Sequence, residues 1–122
     1  MKSPLRPNTR FSCLSEIKKL IEPKSKISSL YLHDGALEIS LSRFNFIILS
    51  HTNKSCIFEF WYSFLQENKK LVSLIQHFSS FMNNAELYLL QRDWSNNRHR
   101  IVRSALFYIL TNSSDACYAS CG

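Results

Sequence analysis

His33, Asp34 and Ser50 are residue types of a hydrolase, and Cys117-x-x-x-Cys121 sets two thiols at a spacing zinc can use. Neither set carries its chemistry far. Ser50 stands in Leu49-Ser50-His51-Thr52, without the glycines of a nucleophile elbow, so polar strand-end residues are the plainer reading. Cys13 and Cys56 lie far from the other two cysteines and no Cys-x-x-Cys occurs, so no metal is expected. Glu38, with Arg43 nearby, reads as a solvated helix charge. A phosphate-binding P-loop and a Gly-x-Gly-x-x-Gly fingerprint are both absent from the sequence.

The elements that would hold these residues can be read from pattern. Pro4 and Pro7 make the first ten residues an extended arm. Ser12 to Glu22 is predicted helical, with Leu14, Ile17, Leu20 and Ile21 on one face and Pro23 as the stop. A short strand is predicted from Ile27 to Leu32. Asp34-Gly35 then turns the chain into a helix from Ala36 to Arg43, with Leu37 and Leu41 one turn apart. Asn45 to Leu49 is continuously apolar, as a buried parallel strand would be. Beyond residue 54 the texture changes. Ser55 to Gln66 is crowded with Phe58, Phe60, Trp61, Tyr62 and Phe64. Lys69 to Phe81 places Leu71, Leu74, Ile75 and Phe78 on one face, and Asn83-Asn84 breaks it. A short helix is predicted over Ala85 to Trp94. A stronger one runs from Arg98 to Thr111, with Ile101, Val102, Ala105, Leu106 and Ile109 in a stripe. The expectation is an α/β chain: a small βαβ start with two or more short parallel strands, then a mainly helical second half. It is read as a single domain, 1–122, with a 1–54 part and a 55–122 part.

Three segments, in order, resemble Dam-like DNA adenine methyltransferases. Ser3-Pro4-Leu5-Arg6-Pro7 followed by Thr9-Arg10-Phe11 resembles their Ser-Pro-Leu-Arg-Tyr-Pro-Gly-Gly-Lys-Ser-Arg opening. Leu30-Tyr31-Leu32-His33-Asp34-Gly35-Ala36-Leu37-Glu38-Ile39-Ser40 resembles their Pro-Phe-Leu-Gly-Gly-Gly-Ser-(apolar)-Glu-(apolar)-Ser motif. Leu106-Phe107-Tyr108-Ile109-Leu110-Thr111-Asn112-Ser113-Ser114 resembles a later Phe-Tyr-Ile-Leu-Asn-Arg-Thr-Ser stretch. The resemblance implies the N-terminal half of such an enzyme with its chemistry removed. In the family, the glycine turn admits S-adenosylmethionine to a helix N-terminus. Here His33, Asp34 and Gly35 form a degenerate turn, and Asp34 adds a negative charge where the cofactor carboxylate would lie. The Gly-Gly-Lys is missing, no carboxylate comes after the second strand at Leu49-Ser50-His51-Thr52-Asn53, and no Asp-Pro-Pro-Tyr occurs. The resemblance therefore implies no catalytic residue, no cofactor and no enzyme.

What remains is binding. The formal charge is +6, which suits an anionic partner, either nucleic acid or an acidic protein face. One basic set contains Arg6 and Arg10 with Lys2, Lys18, Lys19, Lys24 and Lys26. The other contains Arg92, Arg98, Arg100 and Arg103 with His99 and Trp94 interleaved. Arg beside Trp is a composition of phosphate contacts and of protein hot spots alike. Trp61, Tyr62 and Phe64 are further candidates for a partner surface, with core packing as their default. The resemblance implies a phage or mobile-element inhibitor of host defence machinery, of anti-CRISPR or anti-restriction type, covering a host protein or nucleoprotein complex. The alternatives are a small basic DNA- or RNA-binding module and half of a split DNA adenine methyltransferase. A homo-oligomer is compatible with each. The N-terminus lacks the apolar stretch of a signal peptide, and Phe46-Ile47-Ile48-Leu49 is too short to span a bilayer. A cytoplasmic setting with reduced thiols and no membrane contact is expected.

Overall fold

The computed structural model describes residues 3–5, 14–22, 25–30, 32, 34–42 and 47–113. The chain divides into two compact units, Met1–Asn53 and Lys54–Gly122.

The first unit contains helix α1 (Leu14–Leu20), strand β1 (Lys26–Ser29), helix α2 (Ala36–Ser42) and strand β2 (Ile47–Ser50). β1 and β2 pair in parallel, with Lys26 opposite Ile47 and Ser29 opposite Ser50. A parallel pair needs a crossover, and α2 supplies it. The ladder runs on past the strands: the His51 amide donates to the Ser29 carbonyl at 2.8 Å, and the Leu32 amide donates to the His51 carbonyl at 2.6 Å. Side chains alternate along β1, exposed at Lys26 and Ser28 and half-buried at Ile27 and Ser29. On the covered side, the Ser29 hydroxyl donates to Glu38 Oε1 at 2.6 Å and so ties β1 to α2. Leu41 on α2 and Leu5 in the arm are buried.

The expected α/β start is therefore present, with two corrections. Glu38 is not a solvated charge, since it receives this strand hydroxyl. β2 is not a fully buried strand: Ile48 is half-buried and Leu49 is 59% exposed. Successive side chains of a strand face opposite ways, and here one face has cover while the other does not. Helix α1 ends at Leu20, two residues before the predicted end, and leaves Leu20 exposed, with Ile17 and Ile21 half-buried.

The second unit is helical: α3 (Ser55–Gln66), α4 (Asn68–Phe81), α5 (Asn84–Asp93), a short 3-10 turn (Trp94–Asn96) and α6 (Arg100–Ser113). α6 is its centre and receives both α3 and α4. Ser104, Ala105, Leu106, Phe107, Ile109, Leu110 and Thr111 are all buried, a wider band than the predicted stripe. Phe60 of α3 meets Phe107 with ring centroids 6.1 Å apart and stacks on Tyr108 at 6.0 Å. Trp94 closes the other side of Phe107 at 5.7 Å. From α4, Leu71 is buried while Leu74, Ile75 and Phe78 are half-buried, as the amphipathic pattern predicts.

α5 has a different basis. The Asn83 side chain accepts from the amides of Ala85 and Glu86, each at 3.0 Å, and the Glu86 carboxylate accepts from the Asn83 amide at 2.8 Å. This reciprocal box satisfies amides that a helix start leaves without partners. The Asn83-Asn84 pair thus breaks α4 and starts α5 in one step.

Cys56, in the first turn of α3, is buried and disulfide-bonded, contrary to the expectation of reduced thiols. Cys13, Cys117 and Cys121 lie outside the described residues. Among the described residues, no helix is long and apolar enough to cross a membrane.

This packing has two measurable consequences. Phe107→Ala removes the ring that Phe60 and Trp94 share and should cost about 3–5 kcal/mol, measured by urea denaturation. Alkylation of the purified, denatured chain without reductant should leave Cys56 unmodified, and prior reduction should expose it. Labelling of Cys56 without reduction would show the bond absent.

Candidate functional site

The turn Asp34-Gly35 sits between the end of β1 and the start of α2. Gly35 has φ of 71°, a left-handed value that glycine tolerates without a Cβ clash. Its carbonyl accepts the Ile39 amide at 2.9 Å, the first hydrogen bond of the helix. Asp34 is 2% exposed, and its Oδ1 accepts the Ala36 amide at 3.1 Å. The Ser3 hydroxyl donates to the Asp34 carbonyl, and the Leu5 amide in turn donates to Ser3 Oγ at 3.2 Å. The aspartate side chain therefore closes this turn from inside, its backbone carbonyl ties the turn to the N-terminal arm, and its Oδ2 has no hydrogen-bond partner among the described residues. His33 lies outside the described residues, as do Arg6 and Arg10. Ser50 is exposed at the end of β2. A hydrolytic grouping of His33, Asp34 and Ser50 thus has one member outside the described residues, and its acid has one oxygen engaged with backbone.

The second basic set separates into distinct roles. Arg103 Nε and Nη2 donate to the two carboxylate oxygens of Glu59 at 2.8 and 2.6 Å, and Nη1 donates to the Asn97 carbonyl at 2.5 Å. The Glu59 hydrogen bonds hold this guanidinium above its usual pKa, with burial opposing them. One side chain so joins α6, α3 and the segment after the 3-10 turn.

Arg100 lies over the Tyr62 ring, with its Cζ 4.0 Å from the centroid, and donates to Glu67 at 2.7 Å. Its Nε is buried without a partner among the described residues. Arg92 is fully at the surface and pairs with its neighbour Asp93 at 3.1 Å, which raises its pKa. Arg98 is exposed and makes no ion pair among the described residues. Trp94 does not join a surface patch, because it is buried against Phe107. The sequence places these residues together, but Trp94, where α5 passes into the 3-10 turn, has its indole folded inward.

The aromatic candidates also divide. Trp61 is buried and Phe64 half-buried, whereas Tyr62 is 41% exposed. Its companions at the surface are Phe58 and Leu65, one turn before and one turn after. The Phe58 and Tyr62 rings lie 6.1 Å apart. Phe58 and Leu65 are not among the partner-surface candidates read from the sequence. The polar stripe of α3 is itself turned toward α6, through Glu59 to Arg103 and Ser63 to Ser104, so periodicity does not mark Phe58 and Leu65 as its outer face.

A second surface is apolar. Phe78, Phe81 and Met82 at the end of α4 and Leu89 and Leu90 of α5 line an open cleft of about 390 Å³, with Glu86 at its edge. Phe81 is 70% exposed there, and Tyr88, 77% exposed, lines a separate depression with Leu89, Gln91 and Arg92. Among the described residues, no three His, Cys, Asp or Glu side chains cluster so as to hold a metal ion. Cys117 and Cys121 lie outside those residues.

Comparison of the chain with family models, with curated proteins and with solved structures returns no match.

The Arg103–Glu59 pair is about one-fifth exposed on each side. Charge-assisted, two-pronged bonds in such a setting contribute more than surface pairs do. Glu59→Ala should cost about 2 kcal/mol in a denaturation midpoint experiment. Arg92→Ala should leave the midpoint where it was. Equal effects would show that Arg103 is no more than a surface charge.

Proposed function

We propose that this chain is a non-catalytic, methyltransferase-derived binding protein that acts by covering a surface of a partner protein. The exposed apolar face at the α4–α5 corner carries the reading. Phe81 and Leu89 stand largely in water at the cleft, Tyr88 shares a neighbouring depression with Leu89, and apolar exposure of this kind is characteristic of interaction sites. Tyr and Phe are also among the residues enriched at protein interfaces, and Tyr recurs where binding energy concentrates.

The state of the Asp34-Gly35 turn supports the non-catalytic part. A carboxylate folded onto its own helix amide, with the arm bonded over the turn, leaves the place of a cofactor carboxylate occupied by negative charge. The three-segment resemblance supports host defence machinery as the partner class. The second basic set speaks for protein over duplex nucleic acid, because Arg92, Arg100 and Arg103 each already meet a carboxylate. A phosphate would have to displace it.

The test is capture by the tagged full chain from a bacterial lysate, with and without nuclease, read by mass spectrometry. One stoichiometric protein that survives nuclease, and is lost with Leu89→Asp, is the expected result. Leu89 is exposed, so the variant should keep its helical circular dichroism. Recovery of nucleic acid and its usual binders alone would transfer the assignment to a nucleic-acid-binding module. Calorimetric binding of S-adenosylmethionine would transfer it to half of a split methyltransferase.

A further inference from the structure

We propose that a second surface of the helical unit, formed by the outer face of α3 and the start of α6, binds single-stranded nucleic acid by stacking. Phe58 is 56% exposed, and its ring lies beside the Tyr62 ring on α3. The Arg100 guanidinium lies over Tyr62 and is itself partly exposed. Aromatic rings and guanidinium planes are the two surfaces on which unpaired bases stack.

Cations border these planes in a fixed way. Arg103 bonds both Glu59 of α3 and the Asn97 carbonyl, so the segment carrying exposed Arg98 and His99 is pinned beside α3. The carboxylates nearby do not present free negative charge. Glu59 is taken up by Arg103, and Glu67 meets both Arg100 and, at 3.8 Å, Lys70. The surface is thus π-faced, and its excess positive charge comes from Arg98, exposed and without an ion pair among the described residues, and from Lys70, which shares Glu67 with Arg100. A polyanion with stackable faces matches both properties. An apolar protein face matches neither, and the α4–α5 cleft lies on other residues. The rings project from one helix face, so they reach bases that are already unstacked and not those inside a duplex.

The experiment is fluorescence anisotropy with the full chain and a labelled oligodeoxythymidine of about 12 nucleotides, across a salt series. The expected result is binding at low salt that falls with a log–log slope of about −1.4, for two phosphate contacts. Phe58→Ala should weaken it about tenfold or more, as loss of one stacked base does. Arg98→Ala should make the slope shallower by about 0.7. Val72→Ala, on exposed α4 surface, serves as the control that keeps wild-type affinity. Absence of binding at low salt overturns the proposal. So does binding that Phe58→Ala leaves unchanged, since that would be charge attraction without stacking. If Phe58→Ala instead abolishes capture of a protein while no oligonucleotide binds, the surface belongs to a protein partner. None of these outcomes depends on the α4–α5 cleft.

Discussion

The burial of α6 around Phe107 is the constraint on which the helical unit rests. Phe107 has no exposed surface, and it is approached by Phe60 from α3 and by Trp94 from the 3-10 turn. Each ring removes a large apolar area from water, and their tilted contacts add the preference of aromatic pairs for offset geometry. α3 and α4 have no other partner of comparable size than α6. The same helix crossing hides polar atoms, and two of its hydroxyls satisfy each other, while Thr111 Oγ1 is buried without a partner among the described residues. Ser63 and Ser104 hydroxyls meet at 3.1 Å across the α3–α6 contact, and Ser104 donates to the Arg100 carbonyl. Small side chains at that point let the two helices approach closely enough for Phe60 to reach both Phe107 and Tyr108. Arg103 works from the same helix, so the geometry of Phe58, Tyr62 and Arg98 is inherited from the placement of α6.

The first unit solves a harder problem with less material. Two four-residue strands bury little, and a lone strand pair is marginal in water. Its specific bonds therefore carry proportionally more: the Ser29–Glu38 tie between β1 and α2, and the closed turn at Asp34. Asp34 is an unfavourable residue to bury there. One oxygen is satisfied by the Ala36 amide, while the other is buried without a donor among the described residues, and an unmet carboxylate oxygen counts against folding. A glycine at that place would spare this desolvation and would open the turn. The aspartate exchanges openness for an anchored helix start.

Much of this was legible in the sequence, and the failures have physical causes. Periodicity located α4 and α6 to within about two residues, because each has one clear apolar stripe. It overestimated the burial of β2, since a run such as Ile47-Ile48-Leu49 reads the same whether one face of the sheet is covered or both. It gave no sign that Trp94 turns inward, because a 3-10 turn has no period of its own. Arg98, Arg100 and Arg103 read as one cluster, yet two of them are held by Glu59 and Glu67, acids more than thirty residues away in the chain. Pairing across such separations leaves no local trace. Gly35 was legible as a turn, and its left-handed φ fits that reading.

The net charge and the position of the charges lead to different conclusions. A chain of +6 suggests a basic face, but the arginines of the helical unit are largely engaged by internal or neighbouring carboxylates. Most side chains exposed on that unit are polar, among them Lys69, Lys70 and Arg98, and the exposed apolar and aromatic ones are a minority that includes Phe58, Phe81, Tyr88 and Leu89. α5 carries the last two. Residues 85–93 include no fully buried side chain, so packing contributes little to its stability. A ten-residue helix is marginal by itself, and here the reciprocal Asn83–Glu86 box secures its first turn. Because the helix is fixed by a local device and not by burial, Tyr88 and Leu89 are ordered without being used in the core. A helix held in shape while its apolar side chains stay in water has already given up its conformational freedom, which lowers the cost of binding whatever covers it.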